Sequence, residues 1–146
     1  METIIESRKD NLTFSTDSNR LDIEEICRFL AQAYWADTRS RKTIERSLKN
    51  SLVFAVYDAE RQVAMARVVT DFATFAWVCD VFVHPDYRGR GISKWMMKEI
   101  LAHPELKGMR RWILASSTAR GLYSQFGFSQ LLHPERWMEF FDPAAT

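Results

Sequence analysis

Two glycines separated by one residue, each preceded by an arginine, follow an apolar run that stops at a proline: Asp80-Val-Phe-Val-His-Pro-Asp-Tyr-Arg-Gly-Arg-Gly-Ile-Ser-Lys. Glycines at such a junction let the chain turn sharply and approach a ligand without Cβ collisions, leaving several N–H groups aimed at one point. If a helix starts there, its positive end adds to the pull on an anion, and the segment becomes a seat for phosphate. Arg88 and Arg90 stand ready to add charge-assisted bonds. A tight strand-to-helix turn without any ligand has the same local pattern, so the pair of glycines alone leaves both readings open. Two other phosphate loops are excluded. No Gly-x-x-x-x-Gly-Lys-Ser/Thr occurs, and Lys94 stands where a third glycine would complete Gly-x-Gly-x-x-Gly.

The elements that must position this loop follow from periodicity. Leu12 to Thr16 reads as a short strand. Asp22 can cap a helix whose apolar residues Ile23, Ile26, Cys27, Leu30 and Ala33 or Tyr34 share one face. A polar connector over 36–40 leads to a second helix through Ile44 and Leu48, ending near Asn50. Leu52–Tyr57 and Gln62–Thr70 around the turn Asp58–Arg61 predict a hairpin, and Thr74–Val83 predicts the central strand, stopped by His84-Pro85. Beyond the glycines, Ile92, Trp95, Met96, Glu99, Ile100 and His103 share a mostly apolar helical face ended by Pro104. Trp112–Ala115 predicts a strand and Ala119–Phe126 a helix closed by Gly127. Phe128–Leu132 and Trp137–Phe141 predict a last pair of strands around His133-Pro134-Glu135. The expected order is strand, two helices, three strands, helix, strand, helix, two strands. That is an α/β chain with a mixed sheet, different from a regular doubly wound one.

Composition sets the outer limits. The 146 residues are 47% hydrophobic and 27% charged, and with no repeat or linker they are expected to form a single domain spanning 1–146 that needs no disulfide or metal. A net charge of +1, from 20 basic and 19 acidic side chains, supplies no global field for nucleic acid or an anionic membrane. No N-terminal signal and no apolar run near the ~18 residues of a membrane span is visible, which leads to the expectation of a cytoplasmic protein. Cys27 and Cys79 fall in apolar segments and read as reduced core thiols.

Val-x-Pro-x-Tyr-Arg-Gly-x-Gly-Ile after a strand resembles motif A of the GNAT superfamily of acetyl-CoA-dependent N-acetyltransferases. Gly121-Leu122-Tyr123-Ser124-Gln125-Phe126-Gly127-Phe128 resembles that family's Tyr-x-x-x-Gly-Phe motif B. The two lie about thirty residues apart with a helix and a strand between, and the element order over 12–141 is the one that a GNAT-like acyl-CoA N-acyltransferase fold implies. Asp86 departs from the looser signature, which has Gln or Arg there, and Ser93-Lys94 replace a further glycine found in many members.

The resemblance implies acetyl-CoA as co-substrate and no metal. It implies that the pantetheine arm lies beside Val81, Phe82 and Val83 as an added strand would, with the pyrophosphate on Arg88, Gly89, Arg90, Gly91, Ile92 and Ser93. A backbone N–H of the same strand would stabilise the oxyanion. Tyr123 is the implied general acid, since a phenol of pKa near ~10 can protonate a leaving thiolate of pKa near ~8.5; packing under the loop is the alternative.

For the base, Asp80 is the best-placed carboxylate, because a charge inside an apolar strand is costly unless it serves or is paired. Pairing with Arg67 on the neighbouring strand is the competing reading. Asp71 and Glu139 are weaker candidates, and His84 reads as a solvated strand-end residue. The acceptor is expected among Tyr34, Trp35, Asp37, Arg39, Phe75 and Trp77, an aromatic and charged mixture suited to a cationic or aromatic amine, although Phe75 and Trp77 equally suit a core. A small-molecule amine is the leading acceptor. A protein amine, or a non-catalytic acetyl-CoA-binding module, are the alternatives, and both monomer and homodimer stay open.

Overall fold

The computed structural model describes residues 3–146. Asp22 caps α1 (Ile23–Ala31) by accepting from the Glu25 N–H at 3.1 Å, and Ser40 caps α2 (Arg41–Lys49) by accepting from the Thr43 N–H at 3.2 Å. Each cap satisfies a donor that the first turn leaves unpaired. The strands are β1 (Glu6–Lys9), β2 (Leu12–Ser15), β3 (Leu52–Asp58), β4 (Arg61–Thr70), β5 (Phe75–Val83) and β6 (Arg111–Ile113). They form one sheet in sequence order, antiparallel throughout except for the parallel pair β5–β6. α3 (Ile92–Ala102) and the short α4 (Arg120–Ser124) complete the fold.

Alternation along the strands sends side chains to two cores. Leu52, Phe54 and Val56 pack with Ile92, Trp95, Met96 and Ile100 of α3 on one face, whereas Val53, Met65 and Phe82 meet Ile26, Phe29 and Leu30 of α1 and Ile44 of α2 on the other. Phe29 stacks on Phe82 with ring centroids 4.8 Å apart.

β5 changes phase halfway. Opposite β4 the register runs Arg67↔Cys79 and then Met65↔Phe82, so Asp80 and Val81 together face Ala66. This is a β-bulge, and Asp80 takes a left-handed φ of 52° to make it. Ala76 and Val78 before the bulge, and Val81 and Val83 after it, all reach the α3 core, while Phe82 turns to α1.

Two expectations are corrected. β1 was not foreseen: its sequence, Glu-Ser-Arg-Lys, carries no apolar signal because it is an exposed edge strand. The predicted strands Phe128–Leu132 and Trp137–Phe141 are absent; among the described residues the segment after α4 holds only the 3-10 turn Pro134–Arg136. β6, at three residues, offers little edge to pair with, and Met138, Phe140 and Phe141 are exposed. The tail instead passes Trp137 beneath the Arg111 guanidinium and ends where Thr43 Oγ1 donates to the Thr146 carbonyl at 2.7 Å. The strand predicted over Trp112–Ala115 and the helix predicted over Ala119–Phe126 shift to Arg111–Ile113 and Arg120–Ser124. Among the described residues no helix is long and apolar enough to cross a membrane.

Candidate active site

The glycine loop is built by the strand end before it. His84 N–H donates to the Val63 carbonyl at 2.8 Å, and Tyr87 N–H to the His84 carbonyl at 2.8 Å, which winds Pro85–Tyr87 into one 3-10 turn. Tyr87 is anchored below by donating to Asp58 Oδ2 at 2.6 Å. Gly89 and Gly91 then take φ of 78° and 77°, the left-handed region that L side chains enter only at a cost. A Cβ built on either glycine meets no protein atom within 4 Å, so the space over the loop is open. Gly91 is the N-cap of α3 and supplies no side-chain acceptor, which leaves that helix's first N–H groups free of a protein cap. Val83, Arg88, Gly89, Gly91, Ile92, Ser93, Lys94 and Leu122 surround a cleft of about 320 Å³ here.

The arginines of the loop are held rather than free. Arg88 Nε donates to the Val83 carbonyl at 2.9 Å, and its guanidinium lies over the Phe82 ring. Arg90 donates to the Asp86 carbonyl at 3.2 Å, covers the Tyr87 ring, and lies outside the cleft lining.

A second cleft, of about 550 Å³, opens where β5 and β6 part. Their parallel pairing ends at Trp77↔Ile113, and past that point β5 has no strand on its β6 side. Cys79 to Val81 of β5 then face Leu114 to Ala119 across the gap. Tyr123 of α4 is buried, reaches this cleft, and its hydroxyl makes no hydrogen bond among the described residues. Burial pushes its pKa up, which keeps the phenol protonated. At the mouth, the Tyr34 and Ser117 hydroxyls are hydrogen-bonded at 2.8 Å, joining the α1–α2 connector to the β6–α4 loop.

The bulge turns Asp80 toward that connector. Its Oδ2 accepts from Arg67 Nε and from Arg39 Nη1, both at 2.8 Å, and its Oδ1 accepts from Trp35 Nε1 at 3.0 Å. The side chain is 2% exposed. Burial favours the neutral acid, but the Arg67 and Arg39 guanidiniums outweigh it and hold the carboxyl below the usual carboxylate range. The pairing with Arg67 weighed from the sequence is therefore present, with Arg39 as a second cation. Beside it, burial pushes the Cys79 thiol up to about 11; both cysteines are free thiols and both are half-buried rather than core.

Of the other candidates, Tyr34, Trp35 and Trp77 line the cleft, whereas Phe75 lies outside it at the start of β5. Asp37 is exposed and outside the lining. Asp71 caps its own turn, accepting from Thr74 Oγ1 at 2.6 Å and from three backbone N–H groups. Glu139 is exposed on the tail. His84 packs between the Phe29 and Tyr87 rings, with Arg61 on Nε2 at 2.9 Å. Sequence reasoning missed the wall formed by Ser116, Ser117 and Thr118; three consecutive hydroxyl residues directly after a strand were the available signal.

Comparison with known proteins bears on the family and the fold. A family model described as an acetyltransferase (GNAT) domain matches residues 49–130. A crystal structure from Xanthomonas campestris pv. campestris, described as belonging to the GNAT family, superposes with a TM-score of 0.89 at 45% identity, over 92% of this chain and 95% of that one. The curated "Uncharacterized N-acetyltransferase ycf52" of Gracilaria tenuistipitata var. liui is 27% identical over 123 residues, 80% of this chain and 65% of its own length, so the chain spans just under two thirds of that relative. A Clostridium acetobutylicum structure, described as a predicted acetyltransferase with acetyl-CoA, shares the fold at 14% identity and a TM-score of 0.67, over 89% of this chain and 96% of that one. The chain belongs to the GNAT acetyltransferase family.

Proposed function

We propose that this chain transfers the acetyl group of acetyl-CoA to a primary amine of a small molecule. The observation that carries the reading is the parting of β5 from β6 beside an open glycine loop, with the unpartnered Tyr123 hydroxyl in the gap. The loop suits a diphosphate: left-handed glycines, free space above them, and an uncapped α3 N-terminus. The unpaired edge of β5 suits the amides of a pantetheine arm, which would extend the sheet as a strand does.

Acetyl-CoA, when bound, supplies the thioester. Backbone N–H groups of β5 near Val81 would hold the carbonyl oxygen as it gains charge. Tyr123 would donate its proton to the departing sulfur. Asp80 we assign to positioning, since three bonds fix it to the connector and leave it little basicity; water would take the amine's surplus proton. Acetyl-CoA as co-substrate is also supported by the Clostridium acetobutylicum relative of the same fold, described as bound to it.

A small acceptor is favoured by the second cleft, whose volume of about 550 Å³ lies in the range of ligand pockets and whose mouth is bridged by Tyr34 and Ser117. Calorimetry with CoA, followed by a thiol-release assay over a panel of amines, tests the proposal. Binding and thiol release are expected. CoA binding with no release from any acceptor would instead make this a cofactor-binding module.

A further inference from the structure

The second cleft has an unusual charge pattern for a site that handles amines. Among the described residues lining it, Asp80 is the only carboxylate, and two guanidiniums already bind that carboxylate at 2.8 Å. Asp80, Arg67 and Arg39 together therefore carry one net positive charge. Of the three, Asp80 alone lines the cleft, with the guanidiniums bonded to it from outside the lining; beside it stand the rings of Tyr34, Trp35 and Trp77, which are 69%, 44% and 42% exposed. Tyr34 and Trp35 meet edge to face with ring centroids 5.2 Å apart, so their planes stand at right angles and form a corner of the cleft. The opposite wall, Ser116 to Thr118, is neutral and hydroxylic.

An alkylammonium, with a pKa near ~10, would meet no free counter-charge here. It would also lie near a net cation, and no side chain of the cleft is free to remove its proton before attack. Aromatic faces attract cations, but they equally stack on flat rings, and the Asp80 cluster opposes only the first of these uses. Resting on the acetyl-transfer reading above, we infer that the acceptor is an aromatic amine or aryl hydrazine, a nitrogen nucleophile whose lone pair is unprotonated at neutral pH and whose ring stacks on Trp35 and Trp77.

The step balances without a protein base. The nitrogen lone pair attacks the thioester carbon, the N–C bond forms, and the C–S bond breaks with its electron pair on sulfur. Tyr123 protonates the sulfur, and the surplus proton on nitrogen passes to water, from which Tyr123 is recharged.

The test compares aniline and phenylhydrazine with benzylamine and phenethylamine, all at pH 7 with saturating acetyl-CoA, by initial rate of CoA release. The arylamine and hydrazine are expected to show kcat/KM at least tenfold above the alkylamines. In Arg39→Gln, which removes one of the two cations, that preference is expected to shrink severalfold. Equal or better use of the alkylamines by the wild-type protein overturns this inference and leaves acetyl transfer standing. Absence of CoA release from every amine, with CoA bound, removes both.

Discussion

Trp35 Nε1 donates to Asp80 Oδ1 at 3.0 Å, which ties the α1–α2 connector to the bulge of the central strand. Arg39 on the same connector reaches the other carboxylate oxygen. The connector, already held by buried Ala33 and Ala36 and by the Tyr34–Ser117 hydrogen bond, is thus also fastened to the central strand through a buried anion, which helps to set the position of Trp35 in the cleft.

Asp80→Asn should therefore destabilise the protein more than a surface change does. It leaves Arg67 and Arg39 without their anion, and breaking a buried pair from one side costs roughly 3–5 kcal/mol. Arg39 is partly exposed, so the lower end is expected. Urea denaturation measures it; a loss below about 1 kcal/mol would show the cluster to be as weak as an exposed pair.

The same carboxylate predicts a pH effect. Its folded-state pKa is depressed, so its stabilisation is present above the unfolded value near ~3.9 and is lost as pH falls through the folded value. The stability difference between wild type and Asp80→Asn should be constant from neutral pH to about 5 and shrink below about 4. A difference that persists undiminished at pH 2 in urea titrations would contradict the ionic account.

Tyr123→Phe removes a hydroxyl that makes no hydrogen bond among the described residues. Stability and CoA affinity should be nearly unchanged, while turnover falls on the order of 100-fold, as for loss of a general acid. Calorimetry and thiol release on the same sample separate the two effects, and an undiminished rate would end the assignment.

Gly89→Ala places a Cβ on a backbone at φ 78°. The strain of a left-handed L residue is about 1–2 kcal/mol, and the methyl group intrudes on the space that a diphosphate would fill. CoA affinity should fall tenfold or more, with only a modest drop in melting temperature. Wild-type affinity would move the diphosphate elsewhere.

Much of this was legible in the sequence for physical reasons. The helix cap at Asp22, the apolar runs of β3 to β5, and the glycine loop each carry a local signal that packing reinforces. β1 was invisible because an edge strand made of Glu-Ser-Arg-Lys buries almost nothing. Trp137–Phe141 misled for the opposite reason: residues with high strand propensity lie on a tail that finds no ladder. At the site, Asp80 was legible as a charge needing a partner, but Arg39 as its second cation was not, since the contact spans 41 positions. Which of Phe75 and Trp77 faces the cleft followed from the parting of β5 and β6, which no single strand's sequence encodes.

The bulge acts on the strand as an inserted beat acts on a rhythm. Were one residue removed between Val78 and Val81, plain alternation would keep Val81 and Val83 toward α3 and Phe82 toward α1; what would be lost is the extra residue of the bulge, and with it the left-handed turn at Asp80 that aims its carboxylate at the connector. The offset that aims one carboxylate at a loop also times the arrival of the chain at His84, so the two clefts share a common alignment.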